Sequence, residues 1–313
     1  MVIRSLGKNS GASYKAVWGR TGTDAGHDTP APMEASGGTT ATYTGYKSHT
    51  FTASGSFVVS NVGPGEIEVL CVAGGGGGGI NISAGGGAGG FREVSKTLTS
   101  TGTYTVTIGA GGASQTTYNV IGNPGSNSSL TLPGPVGSIA SSGGGGGGSY
   151  KPAPTWPPTP GDPGGSGGGA CGHGTPSTAG TGNAGGYSPP EGNSGGTAPG
   201  GHGSAGGGGA GSVGGMSPGQ NGADGGDGAP NVYRYGPGTP VTYAGGGAGA
   251  AHPGYTGGQG GPGGGGGSGD PGGAPPYHGA TNTGGGGGGS GTSPYNSGAG
   301  GSGIIVIRYA VTS

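Results

Sequence analysis

The residues that could carry out chemistry are few and widely separated. Between positions 133 and 303 the only charged side chains are Lys151, Asp162, Glu191, Asp224, Asp227, Arg234 and Asp270. General acid and base catalysis needs titratable groups that converge in a dry pocket. Asp224 and Asp227, in NGADGGDGAP, come nearest to a carboxylate pair and read as an exposed turn. The histidines (His27, His49, His173, His202, His252 and His278) show no H-x-x-x-H spacing, and no C-x-x-C exists for them to join, so no metal is expected. Cys171 and His173 stand close in ACGHG, which reads as an ordinary loop. Cys71 and Cys171 could form one bridge at most, too little for a disulfide framework, and read as separate thiols with Cys71 buried in a strand. Matches to G-x-G-x-x-G are chance in a chain with 97 glycines, and the sole Gly-Lys pair, Gly7-Lys8, lacks the flanks of a P-loop. Neither an enzyme nor a cofactor is expected.

What remains is a set of aromatic residues. Tyr150 and Trp156 lie in SYKPAPTWPPTP, Tyr187 in GYSPPEG, Tyr233, Tyr235 and Tyr243 in NVYRYGPGTPVTY, Tyr255 in HPGYTG, Tyr277 in PPYHG and Tyr295 in SPYNSG. Each segment joins two glycine-rich stretches. Rigid rings on proline-stiffened loops make contacts at low entropy cost, as binding loops do on a rigid scaffold. The alternative reading is that these rings fold over and cover the ends of the elements they connect.

Those elements follow from composition. The chain has 313 residues, of which 97 are Gly and 26 Pro; 27% are hydrophobic and 7% charged, with a net charge of -1. So little apolar content excludes a conventional core over most of the length, and so little charge argues against a solvated disordered tail. Near-neutrality removes the electrostatic case for nucleic acid or an anionic membrane as partner. No apolar stretch is long enough for a secretory signal or a membrane span, so no cleaved export signal and no membrane insertion are expected.

Glycine runs recur at 74–79, 85–90, 143–148, 206–209, 263–267 and 284–289. The strict three-residue repeat of collagen is absent: from Gly143, steps of three reach Gly146 and then Ser149. An α-helix would lose about 1 kcal/mol per glycine relative to Ala, and a strand would lack a fixed register. The extended threefold helix remains. It has no internal hydrogen bonds, and with hydrogen as its only side chain it can bond neighbours on every side. A six-residue run at ~3.1 Å per residue spans roughly 19 Å, the thickness of a slab. An Ala such as Ala88 is expected where a helix faces outward.

The expected fold is mostly β plus irregular, with a small β-sheet module bracketing a packed bundle of polyglycine-II helices and essentially no α-helix. Residues 1–40 read as an N-terminal attachment arm with Val17 and Trp18 as contacts, 41–132 as a β-rich module with the first glycine runs, 133–303 as the slab with loops, and 304–313 as a closing strand. EIEVLCVA and IIVIRYA both read as strands buried on two faces, and are expected side by side. FREVSKTLTSTGTYTVTIGAGG reads as a hairpin with Tyr104, Val106 and Ile108 on one face and Thr103, Thr105 and Thr107 on the other.

The order EVLCVAGGGGGG, AGGGAGGF, GTYTVTIGAGG, many glycine runs, and a closing GGSGIIVIRY resembles the glycine-rich domain of tailed-phage fibre and adhesin proteins. It is similar, more distantly, to the glycine-rich region of anaplastic-lymphoma-kinase-type receptors. The resemblance covers residues 46–309. It implies packed polyglycine-II helices, a virion location in a tail fibre and a host surface receptor (protein or glycan) as partner; residues 1–40 lie outside the resemblance, and the arm is expected to bind a fibre shaft or other virion protein. Homo-oligomerisation is open. The alternative is a structural glycine-rich protein, a virion decoration or filament subunit, without receptor binding. If successive helices run antiparallel and the last runs are 245–249, 257–267, 284–289 and 298–303, loop parity places APNVYRYGPGTPVTY and DPGGAPPYHGATNT at one end. Tyr233, Arg234, Tyr235, Tyr277 and His278 are then the expected receptor contacts, with Trp156 joining them if the intervening runs give the same parity.

Overall fold

The computed structural model describes residues 31–132, 134–150, 159–269, 275–291 and 296–311. Val17 and Trp18 of the expected arm, and Trp156, lie outside the described residues.

Alternating apolar residues build two five-stranded antiparallel sheets. The first has the order β2 (Thr39–Tyr43), β3 (Tyr46–Phe51), β12 (Ile304–Ala310), β5 (Glu66–Val72), β6 (Phe91–Thr97). The second has the order β1 (Glu34–Ser36), β4 (Gly55–Asn61), β7 (Gly102–Thr107), β8 (Ser128–Thr131), β9 (Ile139–Ser141). Phe51, Ile67, Val69, Cys71, Ile305, Ile307 and Tyr309 of the first pack against Phe57, Val59, Tyr104, Val106, Leu130 and Ile139 of the second. As the two-sided apolar pattern required, β12 pairs β5, from Ile304 opposite Val72 to Arg308 opposite Glu68. Their other faces, Leu70, Val72, Ile304 and Val306, are buried too. Among the described residues the only helical element is a short 3-10 turn, Gly134–Val136.

Two expectations change here. FREVSKT and GTYTVT are not a hairpin: β6 pairs β5 in the first sheet and β7 pairs β4 in the second. The chain turns the corner between sheets at Leu98, whose buried side chain joins the core and whose amide donates to Gly65. The alternation within β7 holds, with Tyr104 and Val106 buried and Thr103, Thr105 and Thr107 exposed. The sandwich also begins earlier than residue 41, because Met33 is in its core and β1 and β2 start at Glu34 and Thr39. It extends past 132 through β9.

The glycine runs leave the sandwich and return to it as a lattice. Amides of the 74–79 run take a new partner at each residue and come back to the same neighbour after three. Gly74 and Gly77 donate to Ser126 and Asn123, Gly75 and Gly78 to Gly301 and Gly298, Gly76 and Gly79 to Gly87 and Ala84. Its carbonyls accept with the same period, Gly74 and Gly77 from Gly144 and Gly147, Gly76 and Gly79 from Gly287 and Ser290, and Gly75 from Gly112. A period of three with all bonds directed outward is the signature of the polyglycine-II helix. Three antiparallel neighbours receive this run's protons and three others donate to it, which is hexagonal packing around one strand of backbone.

The side-chain rule inside that lattice is subtler than expected. Ala88 does not face outward: it is fully buried, in one apolar cluster with Leu70, Val72, Ile304 and Val306 where the slab meets the outer face of the first sheet. Ala170, Ala198 and Ala205 fill a second small apolar pocket within the slab. Ala84, Ala248 and Ala250 are buried in the slab outside either cluster, so the lattice admits a methyl at several interior positions.

Candidate functional site

Hydrogen-bond direction sorts the loops between two ends. Runs 143–148 and 284–289 lie parallel to 74–79, starting at the sandwich and running away from it. Run 84–90 returns, as do 203–210, parallel to it, and 298–301. One end of the slab thus carries the sandwich, and the other carries the turns farthest from it.

The 229–243 segment crosses the sandwich end as a strap. It forms a short hairpin, β10 (Ala229–Asn231) with β11 (Val241–Tyr243), held against the first sheet. The Tyr43 hydroxyl donates to the Tyr233 carbonyl (2.8 Å) and the Ser48 hydroxyl to the Arg234 carbonyl (2.9 Å). Arg308 stands over the rings of Tyr233 and Tyr46, at 4.1 and 4.5 Å, and its Nε bonds Glu68 Oε2 at 2.7 Å. Burial first, then the Glu93 and Glu68 carboxylates, push the Tyr233 phenol up to about 12, so it stays neutral. Beside this clamp a cleft of about 590 Å³ is lined by Tyr43, Tyr46, Tyr235, Pro237 and Arg308.

The predicted contact residues are split between the ends. Tyr233, Arg234 and Tyr235 are at the sandwich end, and only Tyr235, 47% exposed, is free of the clamp's packing. Tyr277 and His278 are not in a loop at that end. Residues 262–264 make a turn with positive φ at Gly263 and Gly264, so the 257–267 stretch is two runs. Residues 275–280 are another run: Tyr277 and Ala280 donate to Gly267 and Gly264, and Gly288 donates to the Tyr277 carbonyl. Parity is shifted, and Tyr277, 67% exposed, lies towards the far end of the slab. His278 Nδ1 accepts from the Ala299 amide at 2.8 Å.

The far end holds what sequence reading missed. Tyr150, His173, His202 and the pair His252 and Tyr255, which share one turn, come from four turns and form one row of ring contacts. Each stands within a few residues of the far end of a run, but nothing in the sequence says which of those ends are neighbours. Asp224 and Asp227 are also displaced from expectation. They belong to the run 222–228, exposed at every third position beside buried Ala223 and Gly226, rather than to a turn. Asp224 Oδ1 accepts from the Gln259 amide at 2.7 Å.

The thiols are separate and buried. Burial pushes each up to about 12, leaving both unreactive. Among the described residues no group of three or more His, Cys, Asp or Glu is arranged to hold a metal, and no helix is long and apolar enough to cross a membrane.

A glycine-rich domain model matches residues 50–310. The chain belongs to the glycine-rich domain family. The match begins at the end of β3 and ends with β12, so it takes in the slab and the strands from β4 to β12, including the β12–β5 pairing, while β1, β2 and most of β3 precede it. No curated protein matches the chain.

Proposed function

We propose that this glycine-rich domain is a non-enzymatic adhesin of the kind carried on phage tail fibres, binding a host-surface receptor through side chains at the far end of its slab. The observation that carries this reading is the polarity of the molecule. Residue 31 and residue 311 both lie in the sandwich: Ala31 packs beside Gly63, and the Val311 amide donates to Gly45. An attachment through residues 1–30 would therefore hold the sandwich end and present the far end. The lattice stiffens that presentation, because each run is bonded laterally and its turns have little freedom to move independently.

This revises the expected contact set. Tyr233 and Arg234 hold the strap in place, while Tyr277 and His278 remain on the side of the proposed receptor. Electron micrographs of intact particles with the chain labelled test the reading. One density at the free end of a fibre, together with saturable binding of the purified chain to some bacterial strains and not others, is the expected result. Regularly repeated density along a filament, with no strain bound, overturns it in favour of a structural subunit.

A further inference from the structure

We infer that the row of rings at the far end is a binding platform for an uncharged saccharide; this rests on the reading of the domain as a host-surface adhesin. Tyr150 stacks on His173 with centroids 3.9 Å apart and planes 28° from parallel. His173 meets His202 edge-on at 4.4 Å, His202 meets His252 at 5.0 Å, and His252 meets Tyr255 at 6.2 Å. The lattice sets the intervals from Tyr150 to His252, since each of those rings stands where a neighbouring run turns, and the turn that bonds the Tyr255 amide to the His252 carbonyl sets the last one. Packing fixes the rings before any ligand arrives, so ordering them adds little to the cost of binding.

The chemistry of the row selects the ligand class. Flat polarisable rings suit the C–H faces of sugars, and neutral imidazoles offer both donors and acceptors to hydroxyls. His202 Nδ1 is buried without a partner among the described residues. His173 is held below the ordinary imidazole range by burial, then by His202 and His252, which favours the neutral form at pH 7. No carboxylate takes part in the row's ring contacts, and every described Lys and Arg (Lys47, Arg92, Lys96, Arg234, Arg308) lies on the sandwich or its strap. Lys151 follows Tyr150 in sequence and lies outside the described residues. The described groups provide no cation to recognise a carboxylate, sulfate or phosphate on a sugar.

The test uses the full chain on an array of neutral hexose and N-acetylhexosamine oligosaccharides, with sialylated and phosphorylated counterparts as a second arm. At pH 7.5 at least one neutral member should bind. His202→Ala and Tyr255→Ala should each weaken it tenfold or more while leaving the melting temperature within a few degrees, whereas Tyr235→Ala should bind as the parent does. Tyr255 is 49% exposed, so its variant keeps the inference falsifiable if His202→Ala fails to fold. Binding confined to acidic members, no binding at all, or unchanged binding by a folded Tyr255→Ala protein overturns it. Strain-specific cell binding that survives Tyr255→Ala and is lost on protease treatment of the cells sinks this inference and leaves the adhesin standing. Loss of all cell binding by the parent chain sinks the adhesin itself.

Discussion

The sandwich and the slab are continuous in chain and opposite in what holds them. In the sandwich, Ile305, Ile307, Val69 and Phe57 exclude water with side chains, and the backbone pairs mainly with the strands beside it. In the slab, hydrogen bonds leave the 74–79 run in all lateral directions and there is almost no side chain to bury. The first region obeys size and shape at each position. The second obeys absence, because the space a Cβ would need holds a neighbour's carbonyl. At Gly76 and Gly286 an added Cβ would lie 2.1 and 2.0 Å from the oxygens of Gly145 and Gly86.

That contrast can be broken most directly at Gly286. Gly286→Val should abolish cooperative folding, read as loss of the thermal transition. Gly238→Ala, on the strap with open space around it, should shift stability by no more than about 0.5 kcal/mol. If Gly286→Val melts like the parent, the lattice account fails. The sandwich should follow its own rule: Ile307→Ala should cost about 2–5 kcal/mol in denaturant melts. Ala205→Gly, deleting one methyl from the slab's own apolar pocket, should cost only about 1 kcal/mol.

Acid should weaken both regions through different histidines. His49, buried in the sandwich, lies with Nδ1 2.7 Å from the Gly37 carbonyl and Nε2 3.2 Å from the Tyr309 hydroxyl. Burial lowers its pKa against the Gly37 bond, which raises it, and Lys47 lowers it further. His173 in the slab is lowered as well. Both groups recover a value of about 6.5 on unfolding, so the unfolded chain protonates first as pH falls. Their contribution is complete above about pH 6.5 and is lost below it, towards each folded value. Melting temperatures at pH 7.5 and 5.5 should show that loss, and His49→Gln should reduce it. A melting temperature that rises on acidification would contradict the assignment.

The smallest effect is the most diagnostic. Cys71 reports on the sandwich and Cys171 on the slab, and neither should react with a thiol reagent in the native state. If the regions unfold as one unit, both thiols should become reactive at the same denaturant midpoint. Earlier labelling of Cys171 would show the slab opening alone.

The sandwich was legible where one pattern sufficed. EIEVLCVA and IIVIRYA carry apolar residues on both faces, and that predicted their pairing. The β6–β7 hairpin misled because alternation names a strand's faces and not its partner. In the slab, purity was the wrong criterion. Residues 275–280 contain one glycine and still form a run, since Tyr277 and His278 point outward while Gly279 faces in. The usable signal was a period of three: Asn221, Asp224 and Asp227 are exposed while Ala223 and Gly226 are buried, and the edge of the lattice shows that alternation. The far-end rings were hidden because their adjacency depends on which runs are lattice neighbours, and loop spacing along the chain does not encode that.

The slab's dependence on backbone pairing has a thermal consequence. Exposing apolar surface raises the heat capacity on unfolding, and exposing polar surface lowers it. Melting this lattice uncovers mostly peptide groups, so the heat-capacity increment per residue should fall below the usual ~12–15 cal/mol/K. The stability curve should then be broad and shallow, and the domain should stay folded in the cold as readily as at moderate heat.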